Sequence, residues 1–280
     1  MKIKILSDST CDLSKELLDA NKITLIPLTV VKADAQFKDG VTITPAEIFA
    51  HVAAGGALCS TAAVSIGEYQ DHFAKYAADY DAVVHICIGS GFSACYQNAC
   101  LAAEEFDNVL AIDSRNLSTG QGLVVLKACE LAKTAASLEE IRAGLEAFTP
   151  KVESSFLVDK LDYLVKGGRC SSAAALGANL LNLKPCIEVR DGKMSVGKKY
   201  RGNYAKCLAN YVKDRLDGRQ DLDEGTLFIT QTIVSDEAYS AVKEAVGTYG
   251  HFDTIHETTA GCTISCHCGP GTLGILFVRK

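Results

Sequence analysis

Apolar runs short enough for strands alternate along the chain with longer stretches of helical spacing. Ala82 to Ile88 is apolar but for His85 and rich in β-branched residues, which predicts a strand buried on both faces. Gly89-Ser90-Gly91 breaks it, and Ala99, Ala102, Ala103 and Phe106 then recur at helical spacing behind Ser93, which stands at the N-cap position. The same rhythm fills the first half. Strands are predicted at Ile3–Leu6, Ile23–Val31 and Val109–Ile112. Helices are predicted at Leu13–Ala20 (capped near Asp12), Pro45–Ala53, Thr119 to about Lys133, and Leu138–Phe148 behind Ser137. Thr44 with Glu47, and Ser65 with Glu68, are capping boxes; the second opens a helix that carries Phe73, Tyr76 and Ala77 inward. Strands and helices in this order predict an α/β fold, a three-layer parallel-sheet domain over residues 1–150.

The rhythm changes near Pro150, where the domain boundary is placed. Ser155–Val158 reads as a strand, Leu161–Lys166 as a short helix ending at Gly167-Gly168, and Ser172–Leu183 as an apolar helix. Cys186–Arg190 and Met194–Tyr200 flank Asp191-Gly192, a strong hairpin signal. Helices at Tyr204–Leu216 and Asp236–Val246 then alternate with strands at Thr226–Thr230 and Thr254–Thr258. A last strand, Leu273–Val278, follows a glycine-rich loop. A hairpin inside an alternating pattern predicts a mixed sheet, hence a two-layer α/β domain over residues 151–280.

With 48% hydrophobic and 22% charged residues and five prolines, the chain has a globular composition. A net charge of −6 without any Lys/Arg run argues against nucleic-acid binding. The opening apolar run is too short for a signal peptide and no segment approaches a membrane span, so a cytoplasmic protein is expected. Most of the twelve cysteines lie singly within apolar runs, as expected for core filling in a reducing compartment. Cys262, Cys266, His267 and Cys268 cluster, but zinc-ligand spacing is missing and no metal site is assigned.

Three polar loops follow strands: Ser7–Thr10, Ser60–Ser65 and Gly89–Ser93. In an open α/β sheet such loops line the ligand crevice. If they meet, Thr61, Ser93 and the N–H groups opening the Ser93 helix form an anion pocket, with Arg169 or His267 as the charge opposite. Equally, Ser93 and Thr61 serve as caps and Arg169 as a surface ion pair. There is no P-loop. Gly269 to Gly274 matches G-x-G-x-x-G but precedes a strand, so the dinucleotide reading lacks its context. Ser93 with His267 as base and Asp113 as orienter leaves open a serine acyl hydrolase or transferase.

Several stretches together resemble the DegV family of fatty-acid-binding proteins. They are Ser7 to Leu13, Thr61-Ala62-Ala63-Val64-Ser65, Phe92 to Ala99, Asp113-Ser114 with Gly120-Gln121-Gly122, Leu161 to Arg169, Lys184-Pro185, Asp191 to Lys193, Arg201-Gly202 and His267 to Gly271. The resemblance implies a two-domain α/β carrier, not an enzyme, which needs no cofactor and holds one long-chain fatty acid in an apolar tunnel. It implies that Thr61 and Ser93 bind the carboxylate with His267 nearby. It also implies presentation of the acid to a separate fatty acid kinase, which makes acyl phosphate for phospholipid synthesis, with Arg169 and Arg201 as the partner contact and room for transient membrane contact. Ala62, Ala63 and Val64 depart from the family's Thr-Ser-Gln-Pro-Ser pattern, and Ala94-Cys95 replaces Gly-Thr. Cys59, Cys95, Cys266 and Cys268 fall around the predicted head-group site without an assigned role.

Overall fold

The computed structural model describes residues 1–175 and 183–280. Four parallel strands form the first sheet, in the order β2-β1-β6-β7: β1 (Ile3–Asp8), β2 (Thr24–Ile26), β6 (Ala82–Cys87) and β7 (Val109–Asp113). Every residue of β6 is buried, including His85, whose Nε2 lies 3.0 Å from Asp8 Oδ1. One face is covered by α3 (Ile66–Ala77) and α4 (Cys95–Ala103), the other by α5 (Ser118–Leu131) and α6 (Leu138–Phe148). Ahead of these come α1 (Lys15–Ala20) and α2 (Pro45–Ala53).

The cap of α1 is Ser14, whose Oγ accepts from Leu17 N, and not Asp12. Both capping boxes form as the sequence predicts, on α2 and α3. Inward packing of α3 falls on Tyr69 and Phe73, with Tyr76 and Ala77 only partly covered. The predicted strand Ile23–Val31 divides at Pro27 into β2 and β3 (Thr29–Lys32). Proline cannot donate to a ladder, and the chain changes sheet there. With β4 (Ala35–Lys38) and β5 (Ser60–Ala62), β3 forms an unforeseen three-stranded antiparallel sheet.

The second sheet has six strands in the order β10-β9-β8-β13-β11-β12. Its strands are β8 (Val152–Val158), β9 (Leu183–Arg190), β10 (Lys193–Arg201), β11 (Leu222–Gln231), β12 (Thr254–Thr259) and β13 (Thr272–Arg279). All neighbours are antiparallel except β11 and β12, which gives the mixed sheet that the hairpin predicts. Asp191 (φ 50) and Gly192 (φ 73) both adopt the left-handed backbone of a two-residue hairpin turn. Against one face pack α9 (Tyr204–Leu216) and α10 (Asp236–Tyr249). Three short helices lie between strands: α7 (Asp162–Gly167), α8 (Ser171–Ala174) and α11 (Cys262–Cys268). Of the apolar helix expected at Ser172–Leu183, α8 covers the start and residues 176–182 lie outside the described residues.

The helix α11 occupies what the sequence suggests is loop. No residue of its own caps it. Instead Asp39, buried beside β4, accepts from Cys262 N at 2.8 Å, Thr263 N at 3.2 Å and Thr263 Oγ1 at 2.7 Å. Asp12 accepts from Gly261 N at 2.9 Å and from Ser118 Oγ at 2.5 Å. Side-chain oxygens that accept from the free N–H groups at a helix start stabilise it, and these two aspartates fix α11 against the first half of the chain.

Candidate functional site

Two of the three predicted loops converge on α11. Thr61 Oγ1 lies 2.8 Å from His267 Nε2, in hydrogen-bond contact. Thr61 is carried by β5 and His267 by α11, with Ser93 just ahead of α4. All three line one narrow cavity with Leu28, Ala62, Ala63, Ile88, Phe92, Leu117, Leu164, Met194, Thr263, Ile264 and Cys268. Arg169 is the single formal charge in that lining among the described residues. The Ser7–Thr10 loop stays away. Ser7 Oγ donates to Ile86 O, Ser9 Oγ to Asp39 and Thr10 Oγ1 to Gln121, so its hydroxyls tie the scaffold together.

At the rim, Arg169 donates to Gly167 O at 2.7 Å and to Phe92 O at 3.4 Å, which places its guanidinium between α7 and the Ser93 turn. Burial, then the Arg169 charge, push His267 down to about 4, so its imidazole is neutral at pH 7. His267 Nδ1 is buried without a hydrogen-bond partner among the described residues, and Gly167 packs so close that an added Cβ would come within 2.5 Å of it. Arg201 is exposed at the end of β10 and lines no part of this cavity.

Ser93 Oγ accepts from Cys95 N at 3.3 Å and donates to Cys95 Sγ at 3.1 Å. Ala94 is the N-cap residue of α4, so Ser93 acts one position earlier than the sequence predicts. The hydrolase arrangement is not assembled. Asp113 accepts from Ser90 N, Ser90 Oγ and Arg115 N, and it orients a turn where that mechanism needs it to orient a histidine. Ser93 is bonded to a cysteine, and His267 to Thr61.

The thiols near the site diverge. Cys268 lines the cavity, Cys262 Sγ donates to Ile43 O at 3.2 Å, and Cys59 and Cys266 share a neighbouring apolar cluster with Phe49. Burial pushes Cys95 up to about 11, so it is an unreactive thiol at neutral pH.

The sequence did not reveal Asp39, Leu164, Met194 or Ile264 as site residues. Asp39 sits before Gly40 and reads as an ordinary turn aspartate; the apolar three read as core. A smaller cavity shares Leu117, Ile264 and Cys268 with the first and continues beside Phe156, Ala260 and Leu276. An apolar tract therefore leads from the Thr61–His267 pair towards the six-stranded sheet. The free volumes, ≈ 50 and ≈ 20 Å³, fall well below the ~300–1,000 Å³ of ordinary small-molecule sites. A long ligand would have to displace lining side chains, of which Met194 is the most adaptable.

Fold and site define an α/β protein with a polar pair at the mouth of an apolar tract. A family model described as "Uncharacterised protein, DegV family" matches residues 2–280. The chain belongs to the DegV family. It is 33% identical to a DegV domain-containing protein of Clostridium acetobutylicum, covering 100% of this chain and 99% of the relative. A relative in Deinococcus radiodurans is 32% identical over 98% of each chain. Among solved structures, a fatty-acid-binding DegV family protein of Thermus thermophilus superposes with a TM-score of 0.89 at 29% identity, covering 100% of both chains. A stearic-acid-binding protein of Eubacterium ventriosum superposes at 0.86 and 28% identity, covering 99% of this chain and 98% of that one. DegV of Bacillus subtilis, described as a fatty acid binding protein, gives 0.82 at 28% identity over 100% of both chains.

Proposed function

We propose that this protein binds one long-chain fatty acid and presents it to a fatty acid kinase for acyl-phosphate formation in the cytoplasm. The observation that carries the reading is the Thr61–His267 hydrogen bond at the mouth of an apolar cavity with one arginine at its rim. The Thr61 hydroxyl donates to the carboxylate while accepting from Nε2–H of the neutral His267, the Ser93 hydroxyl turns from Cys95 Sγ to donate as well, and Arg169 supplies the opposing charge. The acyl chain follows Leu117 and Ile264 towards Phe156 and Leu276. Burying it contributes ~0.8 kcal/mol per methylene, so the tail dominates affinity and the head group sets position. The fatty acids bound by the relatives above support the same ligand class.

In this reading the chain is a carrier of two domains meeting near Pro150, without catalytic residues or cofactor. Arg169 and Arg201 form the kinase contact, and brief membrane contact loads the lipid. Solvent extraction of the purified protein followed by mass spectrometry should release about one fatty acid per chain. Absence of lipid, together with no uptake of a fluorescent fatty acid, rejects the reading. Acyl phosphate should form only when a kinase and ATP are added to the loaded protein.

A further inference from the structure

A larger cavity, ≈ 400 Å³, lies between the turn after β7, the tip of the β9–β10 hairpin and the ends of α9 and β13. It shares no lining residue with the Thr61–His267 cavity. Its walls carry five arginines (Arg115, Arg190, Arg215, Arg219 and Arg279) against three carboxylates (Glu153, Glu188 and Asp191), a formal charge of +2. We propose that this cavity binds a small phosphate-bearing anion, either free phosphate or a phosphate monoester.

The cavity walls hold unspent hydrogen-bond donors. Five guanidiniums offer on the order of twenty-five N–H donors, while three carboxylates offer about twelve acceptor positions. Glu153 is already crowded: Arg215 Nη2 reaches it at 2.5 Å, Arg219 at 2.8 and 2.9 Å, and Arg279 Nε at 3.3 Å. Glu188 takes Arg190 at 2.5 Å and Arg215 Nη1 at 3.3 Å, and Asp221 outside the cavity takes a further edge of Arg219. After all of these, Arg215 Nε remains buried with no partner among the described residues. Arg115, across the cavity, has only Asp191, at 3.6 Å, as an ion-pair partner among the described residues.

The glutamates hold the guanidiniums in place without saturating them. A tetrahedral oxyanion can accept from several planar forks arriving from different directions, which a planar carboxylate serves less well. A volume of ≈ 400 Å³ lies within the ~300–1,000 Å³ range of small-molecule sites and leaves room for an organic group on the phosphate.

This site stands whether or not the first cavity holds a fatty acid. Isothermal titration calorimetry of the full chain at low salt, with inorganic phosphate and separately with phenyl phosphate, tests it. Saturable binding is expected. The double variant Arg115→Gln/Arg190→Gln should weaken it about a hundredfold or more, because it removes two charged donors from the anion. Both side chains are exposed, so the circular dichroism of the variant should match the parent, as should its fatty-acid loading. Equal affinity for the two probes assigns free phosphate, and tighter phenyl phosphate assigns a monoester. No saturable heat with either probe, or binding unchanged in the double variant, overturns the proposal.

Discussion

Thr61 and His267 are 206 positions apart in the chain and 2.8 Å apart in space, and the proposed function turns on that pair. Thr61→Val keeps the shape and removes the hydroxyl. It should weaken fatty-acid affinity by a few-fold to tenfold, the ~0.5–1.5 kcal/mol of one hydrogen bond, in a fluorescent-ligand titration. Charge at the site is tied to burial. Because His267 is held at about 4 in the folded chain and the free side chain titrates near 6.5, the unfolded state binds the proton first. Its contribution is fully present above pH ~6.5 and is lost as pH falls towards 4, by up to ~3 kcal/mol. Histidine ring signals followed by NMR should show one imidazole still neutral at pH 5. Asp12 has the opposite sign. Burial raises it to about 8, against the hydrogen bonds from Ser118 and Gly261, so its contribution is greatest below pH ~4 and is lost as pH rises towards 8. Asp12→Asn should remove that part of the slope in denaturant titrations run at several pH values. At this scale the sequence was informative where a motif supplied both residue type and neighbourhood, as for Thr61, Ser93 and His267. It was silent on Asp39, whose meaning comes from backbone N–H groups 223 and 224 positions later.

Elements with their own punctuation were legible: α2, α3 and α6 start at the caps that their sequences provide, and the β9–β10 hairpin turns at Asp191-Gly192. Those that borrow their signals were not. The strand β5 is three residues of mostly exposed chain that exists because β3 pairs with it, and α11 depends on carboxylates from another part of the molecule. Asp39→Ala leaves two helix N–H groups and the Thr263 hydroxyl without their acceptor. The expected loss is ~2–4 kcal/mol of unfolding free energy by chemical denaturation, with weaker fatty-acid binding at temperatures where the fold persists. The turn before α4 has a tighter constraint. An added Cβ at Gly91 would meet the Gly192 carbonyl oxygen at 2.1 Å, so the turn and the hairpin tip can touch only through glycine. Gly91→Ala should push the tip away and disturb Met194, two residues along the hairpin and in the site lining, which a change in Met194 methyl shifts by NMR would report.

The layers of the molecule were readable from periodicity, because strand and helix spacing survive in any context. The joining of those layers was not. The helix α5 packs on the parallel sheet with one part of its surface and on β8, β11 and β13 with another, and Thr119 on it bonds Thr230 at 2.6 Å. Core clusters mix the halves as well: Leu6, Val83 and Phe156 share one, and Ile5, Val84 and Phe228 another. Residues 1–150 expressed alone should therefore lack a cooperative thermal transition by circular dichroism. The tethering of α11 has a consequence in time as well as in space. Ribosomes deliver Thr61, Ser93 and Arg169 well before His267, and the anchors of its helix span 223 to 249 positions. Contacts that close such long loops are among the later ones to reward the chain. The head-group pair should thus be a finishing step of folding, absent from the transition state. Substitutions in α11 and at Asp39 should hasten unfolding while leaving the refolding limb of a chevron plot unmoved. A chain stalled short of that step would carry both sheets and yet hold no lipid, so ligand occupancy reads out completed folding.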